Sequence, residues 1–368
     1  MLNHTPKNIL VAPLDWGAGH TTRCIPLMRH ILDAGHRVIF AGNDRQQAII
    51  NSEMGGDAVT MVHLEGYNIT YSPLNRIAQA GLLLQAPAVM AAIRNEQQWL
   101  RAAVKQCQID GIVSDNRYGL YHSSVPSVII THQLRVLSGM GRLPDNIVQR
   151  LHYRWLSRFG AVWVPDVPGA DNLAGQLSQP VVLPPGTHYL GLLSRFSGMG
   201  LQETGADPDR LLVLLSGPEP QRTILSQMLW PQVAAYHGRV VFAEGNDSAA
   251  TPAVIPPHVS WHKRLSGTAL ATEISRAGMV ICRSGYSTLM DLGIFDARAI
   301  LIPTPGQTEQ EYLGRIMQQQ GRHYCTPQSG FSLEQSLKKA QGLKDASGPE
   351  RRVFDIHKEV VSQWLTTL

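Results

Sequence analysis

The turn Arg283-Ser284-Gly285 joins residue types that can bind a phosphate group. A buried strand ends just before it at Cys282, and a short helix begins just after it at Ser287. The turn therefore places a serine and a glycine at a helix N-terminus, where free backbone N–H groups and the positive end of the helix dipole favour an anion. We expect all three residues of the turn to contact a phosphate.

Polar side chains after this turn extend the predicted pocket. Asp291 lies between one and two helical turns further on, where its carboxylate could accept both hydroxyl groups of a ribose. A second strand, Ala299–Pro303, leads into a polar loop, and Gln310 and Glu311 open the next helix, placed to meet a polar ring. Ligands bind where the strands of a parallel sheet end. The order phosphate, ribose, sugar therefore predicts a nucleotide-sugar pocket.

The loop after the first strand of the chain, residues 15–23, is the second candidate site. Gly17 and Gly19 let the backbone turn sharply and approach a ligand closely. A dinucleotide-binding fingerprint requires a third glycine, but Thr22 stands in its place, and the nearest acidic residue to the second strand is Asp44. The loop therefore argues against a dehydrogenase of the Rossmann type.

His20 and Asp15 are the candidate catalytic residues of this loop. The usual pKa of histidine, near 6.5, suits a general base that removes a proton from an attacking hydroxyl group. His20 could instead stay protonated, or donate a hydrogen bond to a diphosphate. Asp15 could orient His20 or act as the base itself. The structural alternative is that Asp15 caps the turn and His20 only fixes the loop geometry.

Two further strands end in polar residues. Asp115 follows the buried strand Asp110–Ser114, which places it either near the ligand or at the N-cap of the next segment. His132 and Gln133 follow the strand Ser127–Ile130, so either of them could contact an acceptor, although His132 could equally be a buried structural histidine.

The bulk composition excludes several classes of protein. The chain has 368 residues, a formal net charge of +4 and a pI near 8.9, which suits an anionic nucleotide or an anionic membrane surface. There is no block of lysine and arginine of the kind that binds nucleic acid, so we expect no nucleic-acid partner. The four cysteines are scattered without a CxxC pair, which predicts a reducing cytoplasm and neither a zinc site nor a disulfide framework.

No segment of the sequence is typical of a signal peptide or of a membrane span. The longest apolar stretch, residues 77–93, is interrupted by glutamines and a proline and falls short of the ~20 apolar residues that a span requires. We therefore expect a cytoplasmic protein, soluble or peripheral at the inner face of the membrane. The helix Leu82–Ile93 reads either as a core helix or as an apolar patch that docks on a membrane, aided by Arg76, Arg94 and Arg101.

The elements that must position these residues alternate between strand and helix in both halves of the chain. This pattern predicts two doubly wound α/β domains. We expect a Rossmann-like domain over residues 1–190, whose last strand is Ala161–Val164, and a linker over residues 191–209. A second domain then spans residues 210–348, and residues 349–368 form a C-terminal helix.

The segment around the phosphate turn resembles the donor-binding half of glycosyltransferase family 28, a group that includes the N-acetylglucosaminyltransferase of peptidoglycan synthesis. Two departures from the family pattern change the expected contacts. Asp291 stands where the better-known members have glutamate, which shortens the ribose contact by one methylene. Glu311 replaces the second glutamine of a pair that contacts the donor sugar. The resemblance is carried by Arg283, Ser284, Gly285, Asp291, Pro303 and Gln310.

The resemblance implies the GT-B architecture, in which two Rossmann-like domains face each other across a cleft and the final helix packs back on the N-terminal domain. It also implies an inverting transfer from a nucleotide-sugar, with UDP as the expected nucleotide. Such enzymes need no metal ion, and the sequence contains no DxD-type motif, so we expect no metal and no cofactor beyond the nucleotide-sugar co-substrate.

Roles for the other candidates follow from the same resemblance. His20 falls on the histidine that faces the acceptor and the donor phosphates, in a loop where Gly17 and Gly19 line the cleft. Ser216 and Gly217 fall on the turn that binds the diphosphate. The segment Thr131–Gln133 is similar to a family motif, His-Glu-Gln, at the same place, and with Asp115 it is assigned to the acceptor side or the cleft.

Three functions are compatible with these residues. The first is a glycosyltransferase whose acceptor is unknown and could be linked to a lipid. The second is a nucleotide-sugar hydrolase of the same fold, in which water replaces the acceptor. The third is a non-catalytic subunit that binds nucleotide-sugars for another transferase, which loss of His20 and Asp15 would indicate; both are present.

Overall fold

The computed structural model describes residues 5–55, 58–67, 86–136, 142–199, 205–265, 267–343 and 349–368. The chain divides into two compact units. The first comprises Met1–Ser197 together with Arg351–Leu368, and the second comprises Gly198–Glu350. The division falls inside the segment 191–209 that was expected to be a linker. Residues before the division are not exposed, since Leu192, Leu193 and Phe196 are at most 1% exposed.

The first unit contains one parallel sheet. The direction in which successive strands are added to the sheet reverses in the middle. The reversal lies between two neighbouring strands that are the first and the fourth along the chain. At such a switch point the chain leaves the two strands in opposite directions, which opens a space at their carboxyl ends. The described strands are β1 (Asn8–Pro13), β2 (Arg37–Gly42), β3 (Thr60–His63), β4 (Gly111–Asp115), β5 (Ser127–Ile130), β6 (Ala161–Val164) and β7 (Thr187–Tyr189), in the order β3-β2-β1-β4-β5-β6-β7.

Helices accompany this sheet, and the central strand is buried. Four consecutive residues of β1, from Ile9 to Ala12, have no exposed surface. A continuous apolar run of this kind is typical of a parallel strand in a sheet with both faces covered. The described helices before the division are α1 (Ala18–Arg23), α2 (Ile25–Asp33), α3 (Asp44–Met54), α4 (Ala86–Gln106) and α5 (Arg142–Leu156).

One expectation for the first unit was wrong. Ala161–Val164 is not the last strand, because β7 pairs beside it. A three-residue strand is too short to show a periodic pattern in the sequence. The sequence also predicts a largely helical stretch over Leu74–Gln106 that is broken near Pro87. The structure describes α4 from Ala86 onward, and a proline in the first turn costs no hydrogen bond. The preceding residues of that stretch lie outside the described residues, so the break stays a prediction.

The second unit repeats the arrangement. Its strands are β8 (Asp207–Leu214), β9 (Arg239–Ala243), β10 (Val259–His262), β11 (Ala277–Cys282), β12 (Ala299–Leu301) and β13 (Tyr324–Cys325), all parallel, in the order β10-β9-β8-β11-β12-β13. The switch point lies between β8 and β11. The first of these strands begins at Asp207, three residues earlier than the expected domain start at residue 210.

Five described helices belong to this unit: α6 (Gln221–Ala234), α7 (Gly267–Arg276), α8 (Tyr286–Ile294), α9 (Thr308–Gln319) and α10 (Leu333–Gln341). One cluster of buried side chains joins both strands of the switch point to α6 and α10, for example through Val213, Ile281 and Leu225. The loops at the carboxyl ends of β8, β11 and β12 are therefore anchored on a packed core.

The C-terminal segment packs on the first unit. A short 3-10 turn over Arg351–Phe354 leads into α11 (Ile356–Leu365), which contacts α2. His30 Nε2 and Ser362 Oγ are 2.8 Å apart. The ring of Trp364 meets that of Trp163 edge to face, with centroids 5.4 Å apart. A side chain at Gly111 would meet Trp364 at 2.7 Å, so β4 and α11 approach closely.

Candidate functional site

The switch point of the first unit brings together a carboxylate and a histidine that the sequence places far apart. Asp115 ends β4 and lies opposite Pro13 of β1 in the sheet. Helix α1 begins two residues after Trp16, following Gly17, whose φ of 78° favours glycine. His20 in this helix has its Nδ1 atom 3.0 Å from Asp115 Oδ1.

Arg23 completes this cluster. It lies one helical turn after His20, and residues three apart on a helix share a face. Its Nε atom donates to Asp115 Oδ2 at 2.6 Å, and its Nη2 atom donates to Asp115 Oδ1. The same Nη2 atom is 2.9 Å from His20 Nδ1. Asp115 is fully buried, whereas 16% of the His20 side chain is exposed. The cluster can therefore present only the histidine to a ligand.

The environment fixes the charges in this cluster. Burial by itself would raise the pKa of Asp115, but the charges of Arg23 and His20 and the hydrogen bonds from them hold it well below its usual range. Burial, reinforced by the charge of Arg23, lowers the pKa of His20, although Asp115 acts against this. At neutral pH the imidazole is therefore neutral beside an ionised carboxylate and a guanidinium.

His132 joins the cluster from β5. Its Nδ1 atom is 3.5 Å from Arg23 Nη1, and only 4% of the residue is exposed. The backbone N–H of Gln133 donates to the Thr131 hydroxyl at 3.2 Å, which shapes the turn after β5. The structure thus groups His20, Asp115 and His132, three candidates that the sequence analysis treated separately. It adds Arg23, whose only signal in the sequence was its helical spacing from His20.

Asp15 has a different environment from the one expected of a partner for His20. Its Oδ1 atom accepts the backbone N–H of Tyr67 at 3.1 Å, and a side chain at Gly66 would lie only 1.9 Å from Oδ2. The carboxylate therefore holds the segment after β3. The acid that contacts His20 is Asp115.

A second buried network supports the same segment. Arg117 Nε donates to Glu96 Oε1 at 2.6 Å, and Tyr67 Oη donates to Glu96 Oε2 at 2.8 Å. Burial raises the pKa of Glu96 even though Arg117 acts against it. Arg117 also donates to the carbonyl group of Glu65. The network ties α4 and β4 to the loop that contacts Asp15.

In the second unit, Arg283 lies at the end of β11 with an uncompensated charge. Its Nη1 atom donates to the carbonyl oxygens of Ile302 and Pro303 at 3.1 and 3.2 Å, and its Nη2 atom donates to that of Gln221 at 2.8 Å. Only 1% of the residue is exposed, and Nε has no partner among the described residues. Burial lowers its pKa to about 10, so it stays protonated at neutral pH. No described carboxylate pairs with it.

In the rest of the phosphate turn, the Ser284 side chain points into the protein, whereas the backbone at Gly285 borders open space. The Ser284 hydroxyl donates to the carbonyl oxygen of Gln310 at 2.7 Å, so it points into the protein. Gly285 is the N-cap residue of α8, and no side chain caps this helix. A side chain at Gly285 would meet no atom closer than Thr288 Oγ1 at 3.8 Å. The backbone at the start of α8 therefore borders open space.

Ser216 and Gly217 follow β8 on the other side of the switch point. Gly217 has a φ of 99°, which favours glycine, and a side chain there would meet only Thr304 Oγ1, at 3.8 Å. Glu219, two residues after Gly217, accepts hydrogen bonds from Arg222 and Thr223 at the start of α6. It therefore stabilises the helix rather than a ligand.

The three remaining candidates lie on α8 and α9. Asp291 is on the second turn of α8 and is 7% exposed. Gln310 Oε1 accepts the backbone N–H of Thr304 at 2.8 Å, and Glu311 Oε1 accepts that of Gly306 at 3.0 Å. Both side chains thus fix the loop before α9 in this structure. Sequence reasoning missed Thr304, which carries no motif.

Two wider properties concern the part of the chain that the structure describes. No three His, Cys, Asp or Glu side chains there are grouped so that they could hold a metal ion. No helix there combines the length and the apolar character needed to cross a membrane.

Known proteins resemble this chain in sequence. Residues 268–351 match the model of the glycosyltransferase family 28 C-terminal domain. The chain is 23% identical over 337 residues to the UDP-N-acetylglucosamine--N-acetylmuramyl-(pentapeptide) pyrophosphoryl-undecaprenol N-acetylglucosamine transferase of Klebsiella pneumoniae subsp. pneumoniae, covering 86% of this chain and 83% of that relative.

Solved structures show the same fold. The glycotransferase of kitacinnamycin is 18% identical and superimposes with a TM-score of 0.64 over 99% of both chains. The spinosyn rhamnosyltransferase SpnG complexed with thymidine diphosphate is 17% identical, with a TM-score of 0.59 over 98% of this chain and 96% of that chain. The chain is therefore a glycosyltransferase of the GT-B fold, related to family 28 through the C-terminal domain that it carries over residues 268–351.

Proposed function

We propose that the protein transfers a sugar from a nucleoside-diphosphate sugar to a hydroxyl group of an acceptor, with inversion at the anomeric carbon. The observation that carries this proposal is the anion site at the end of β11. There a buried and uncompensated guanidinium, Arg283, lies beside the uncapped N-terminus of α8. Positive charge and free N–H groups fixed in place stabilise the negative charge that develops on a diphosphate leaving group.

The same site supports a donor that needs no metal ion. Arg283 remains charged at neutral pH, and its hydrogen bonds to backbone carbonyls hold it without neutralising it. We therefore assign the task of balancing the diphosphate charge to Arg283 and α8. UDP is the proposed nucleotide, because the Klebsiella relative is named for UDP-N-acetylglucosamine. Asp291, on the second turn of α8, would accept the ribose hydroxyls.

His20 is the proposed general base. We assign the neutral ring the tautomer with its proton on Nδ1, which donates to Asp115 Oδ1 and leaves the Nε2 lone pair for the acceptor. The acceptor hydroxyl gives its proton to Nε2 while its oxygen forms a bond to the anomeric carbon. The bond from that carbon to the diphosphate oxygen breaks, and its electron pair stays on the diphosphate. Attack opposite the leaving group inverts the anomeric centre.

A lipid-linked acceptor is supported by an exposed surface of the first unit. Val181 is fully exposed, Val182 and Leu183 are 69% and 43% exposed, and Leu151 of α5 is 54% exposed. The hydroxyl of Tyr153 donates to the carbonyl oxygen of Val182 at 2.6 Å, which holds the loop against α5. Apolar side chains at a surface with basic residues favour anionic membranes. We name this the α5 surface: Leu151, Val181, Val182 and Leu183 with Arg150, Arg154 and Arg158.

This location differs from the one expected from the sequence. Part of the helix Leu82–Ile93 lies outside the described residues, and in its described part Ile93 is buried while Met90 is 39% exposed. That this helix contacts the inner face of a membrane stays a prediction. We propose that the protein contacts the membrane through the α5 surface instead.

Thermal unfolding with UDP, TDP and GDP tests the donor proposal. A ligand at 100 times its Kd stabilises a protein by about 2.7 kcal/mol, so we expect a clear rise in the unfolding temperature with UDP. Asp291→Asn should reduce this rise. Asp209→Asn, which changes an exposed aspartate of the same unit, should not. If none of the three nucleotides stabilises the protein, the donor proposal is wrong.

Turnover then separates transferase from hydrolase. UDP-N-acetylglucosamine and related UDP-sugars are incubated with the enzyme, with and without an acceptor and in the presence of EDTA. We expect release of UDP that depends on the acceptor and persists in EDTA. Equal release without any acceptor would favour a hydrolase, and loss of transfer in EDTA that added metal restores would contradict metal independence.

A further inference from the structure

The hydroxyl group of Thr304 is buried and has no hydrogen-bond partner among the described residues. Thr304 follows β12, and only 5% of it is exposed. Its backbone N–H already donates to Gln310 Oε1 at 2.8 Å, which fixes the residue in place. A buried hydroxyl without a partner is unfavourable, and buried polar groups in native proteins are usually hydrogen-bonded. The position therefore calls for a partner that the described residues do not supply.

The sheet order locates the place to which this hydroxyl belongs. Thr304 leaves the sheet from β12, whereas Gly217 leaves it from β8, and β11 lies between these two strands. Thr304 Oγ1 is nevertheless 3.8 Å from the point where a Cβ atom of Gly217 would stand, which is van der Waals distance. The two residues therefore approach each other over the carboxyl end of β11, just before Arg283 and the start of α8.

The surroundings of this point of approach are positive. Arg283 donates to the carbonyl oxygens of Ile302 and Pro303, so its guanidinium supports the chain that carries Thr304. No described carboxylate neutralises it. The first turn of α8 adds N–H groups without a side-chain cap. A hydroxyl donor, a guanidinium and a helix N-terminus around one space suit a group that accepts several hydrogen bonds and carries negative charge.

We propose that Thr304 donates a hydrogen bond through Oγ1 to a phosphoryl oxygen of the donor diphosphate, and that the absence of a side chain at Gly217 leaves room for this group. The inference rests on the proposed function, because it assigns a further residue to the same donor site. It also predicts that the hydroxyl is kept for binding at the expense of stability. Removing it should leave the unliganded protein at least as stable as before.

Thr304→Val tests this, because it replaces the hydroxyl by a methyl group of similar size. We expect the unliganded variant to unfold at the wild-type temperature or above it. Its affinity for UDP, measured by isothermal titration calorimetry, should fall roughly ten-fold or more, as expected for a lost hydrogen bond to a charged group. Thr304→Ser should bind within about three-fold of wild type. Affinity for inorganic pyrophosphate should follow the same order.

Thr272→Val is the matched control, since the Thr272 hydroxyl of α7 donates to the carbonyl oxygen of Thr268 at 2.9 Å, on an exposed face of the same unit. It should bind UDP and pyrophosphate as wild type does. If Thr304→Val proves unstable, Thr304→Ala and Thr304→Ser give the same comparison. A folded Thr304→Val or Thr304→Ala protein with wild-type affinity for UDP and pyrophosphate would overturn the inference.

Failure of the proposed function would give a different binding result from failure of the role of Thr304. If wild type binds pyrophosphate but no nucleotide, the donor proposal is wrong, and the pyrophosphate affinities of the Thr304 variants still decide the role of the hydroxyl. If wild type binds neither ligand, both proposals are wrong.

Discussion

Asp115 binds Arg23 and His20 with the same carboxylate, and this sharing determines what His20 can do. Arg23 keeps the acid ionised, while the acid orients the imidazole. Burial, reinforced by the charge of Arg23, lowers the pKa of His20, which favours the neutral form among the alternatives that the sequence allowed. At neutral pH the ring is ready to accept a proton.

Asp115→Asn should slow transfer without removing donor binding. The amide cannot stabilise the imidazolium that forms when His20 accepts a proton, so we expect kcat to fall on the order of 10²–10⁴-fold, the usual contribution of general acid–base catalysis. Asp115 raises the pKa of His20. Without it, the acid limb of the pH profile of kcat should move to lower pH. Steady-state rates between pH 5 and pH 8 measure both effects.

Asp33→Asn is the control for this variant, because Asp33 is an exposed acid at the end of α2. It should leave the rate and the profile unchanged. Wild-type kcat in a folded Asp115→Asn protein would show that the acid is structural.

The sequence predicted that the candidate residues lie at the ends of strands, but not which of them meet or how they are used. His20, Asp115 and His132 follow β1, β4 and β5, and neighbouring parallel strands end at the same edge of a sheet. The role of Arg23 depends on a contact across 92 positions of the chain, which no local pattern contains. Likewise, the spacing of Ser284 could not show that its hydroxyl would donate to the backbone of α9.

At the scale of elements, long apolar runs were predictable and short edge elements were not. The buried run of β1 is evident in the sequence, because a strand with both faces covered is apolar throughout. β7 and β13, with three and two residues, are held by pairing with a neighbour rather than by their own composition. Their existence therefore depends on the tertiary structure.

The α5 surface gives a prediction at this scale. Wild-type protein should sediment with vesicles that contain anionic phospholipid and much less with neutral vesicles, since each arginine near an anionic surface contributes about 1 kcal/mol. Replacing Val181 and Val182 together by aspartate removes apolar contact and adds repulsion at exposed positions, so binding should fall roughly ten-fold.

Val254→Asp is the matched control, since Val254 is 73% exposed in the second unit. It should bind vesicles as wild type does. Equal binding of the Val181/Val182 double variant, or no binding by wild type, would contradict membrane contact through this surface.

For the molecule as a whole, buried histidines make stability depend on pH. Burial lowers the pKa of His152, His323 and His357 to about 4. The unfolded chain protonates them near 6.5. The unfolded state therefore binds more protons between these values, so the stabilising effect is complete above about pH 6.5 and is lost as pH falls towards 4.

Urea unfolding at pH 7.5, 5.5 and 4.5 should accordingly show a falling free energy of unfolding, by at most about 3 kcal/mol for each histidine. His357→Gln should flatten the dependence, because it removes one of the three groups. The same free energy at pH 7.5 and pH 4.5 would show that these side chains are protonated without cost in the folded state.

The C-terminal helix has a consequence for the order in which the chain can fold during synthesis. Residues 198–350 form the second unit without a break in the chain, so it can fold as soon as they have left the ribosome. The first unit starts earlier but needs α11, whose Trp364 packs on Trp163 and against Gly111 of β4. The half that carries His20 is thus begun first but completed only after the second unit has been made, and until α11 leaves the ribosome β4 lacks the packing of Trp364.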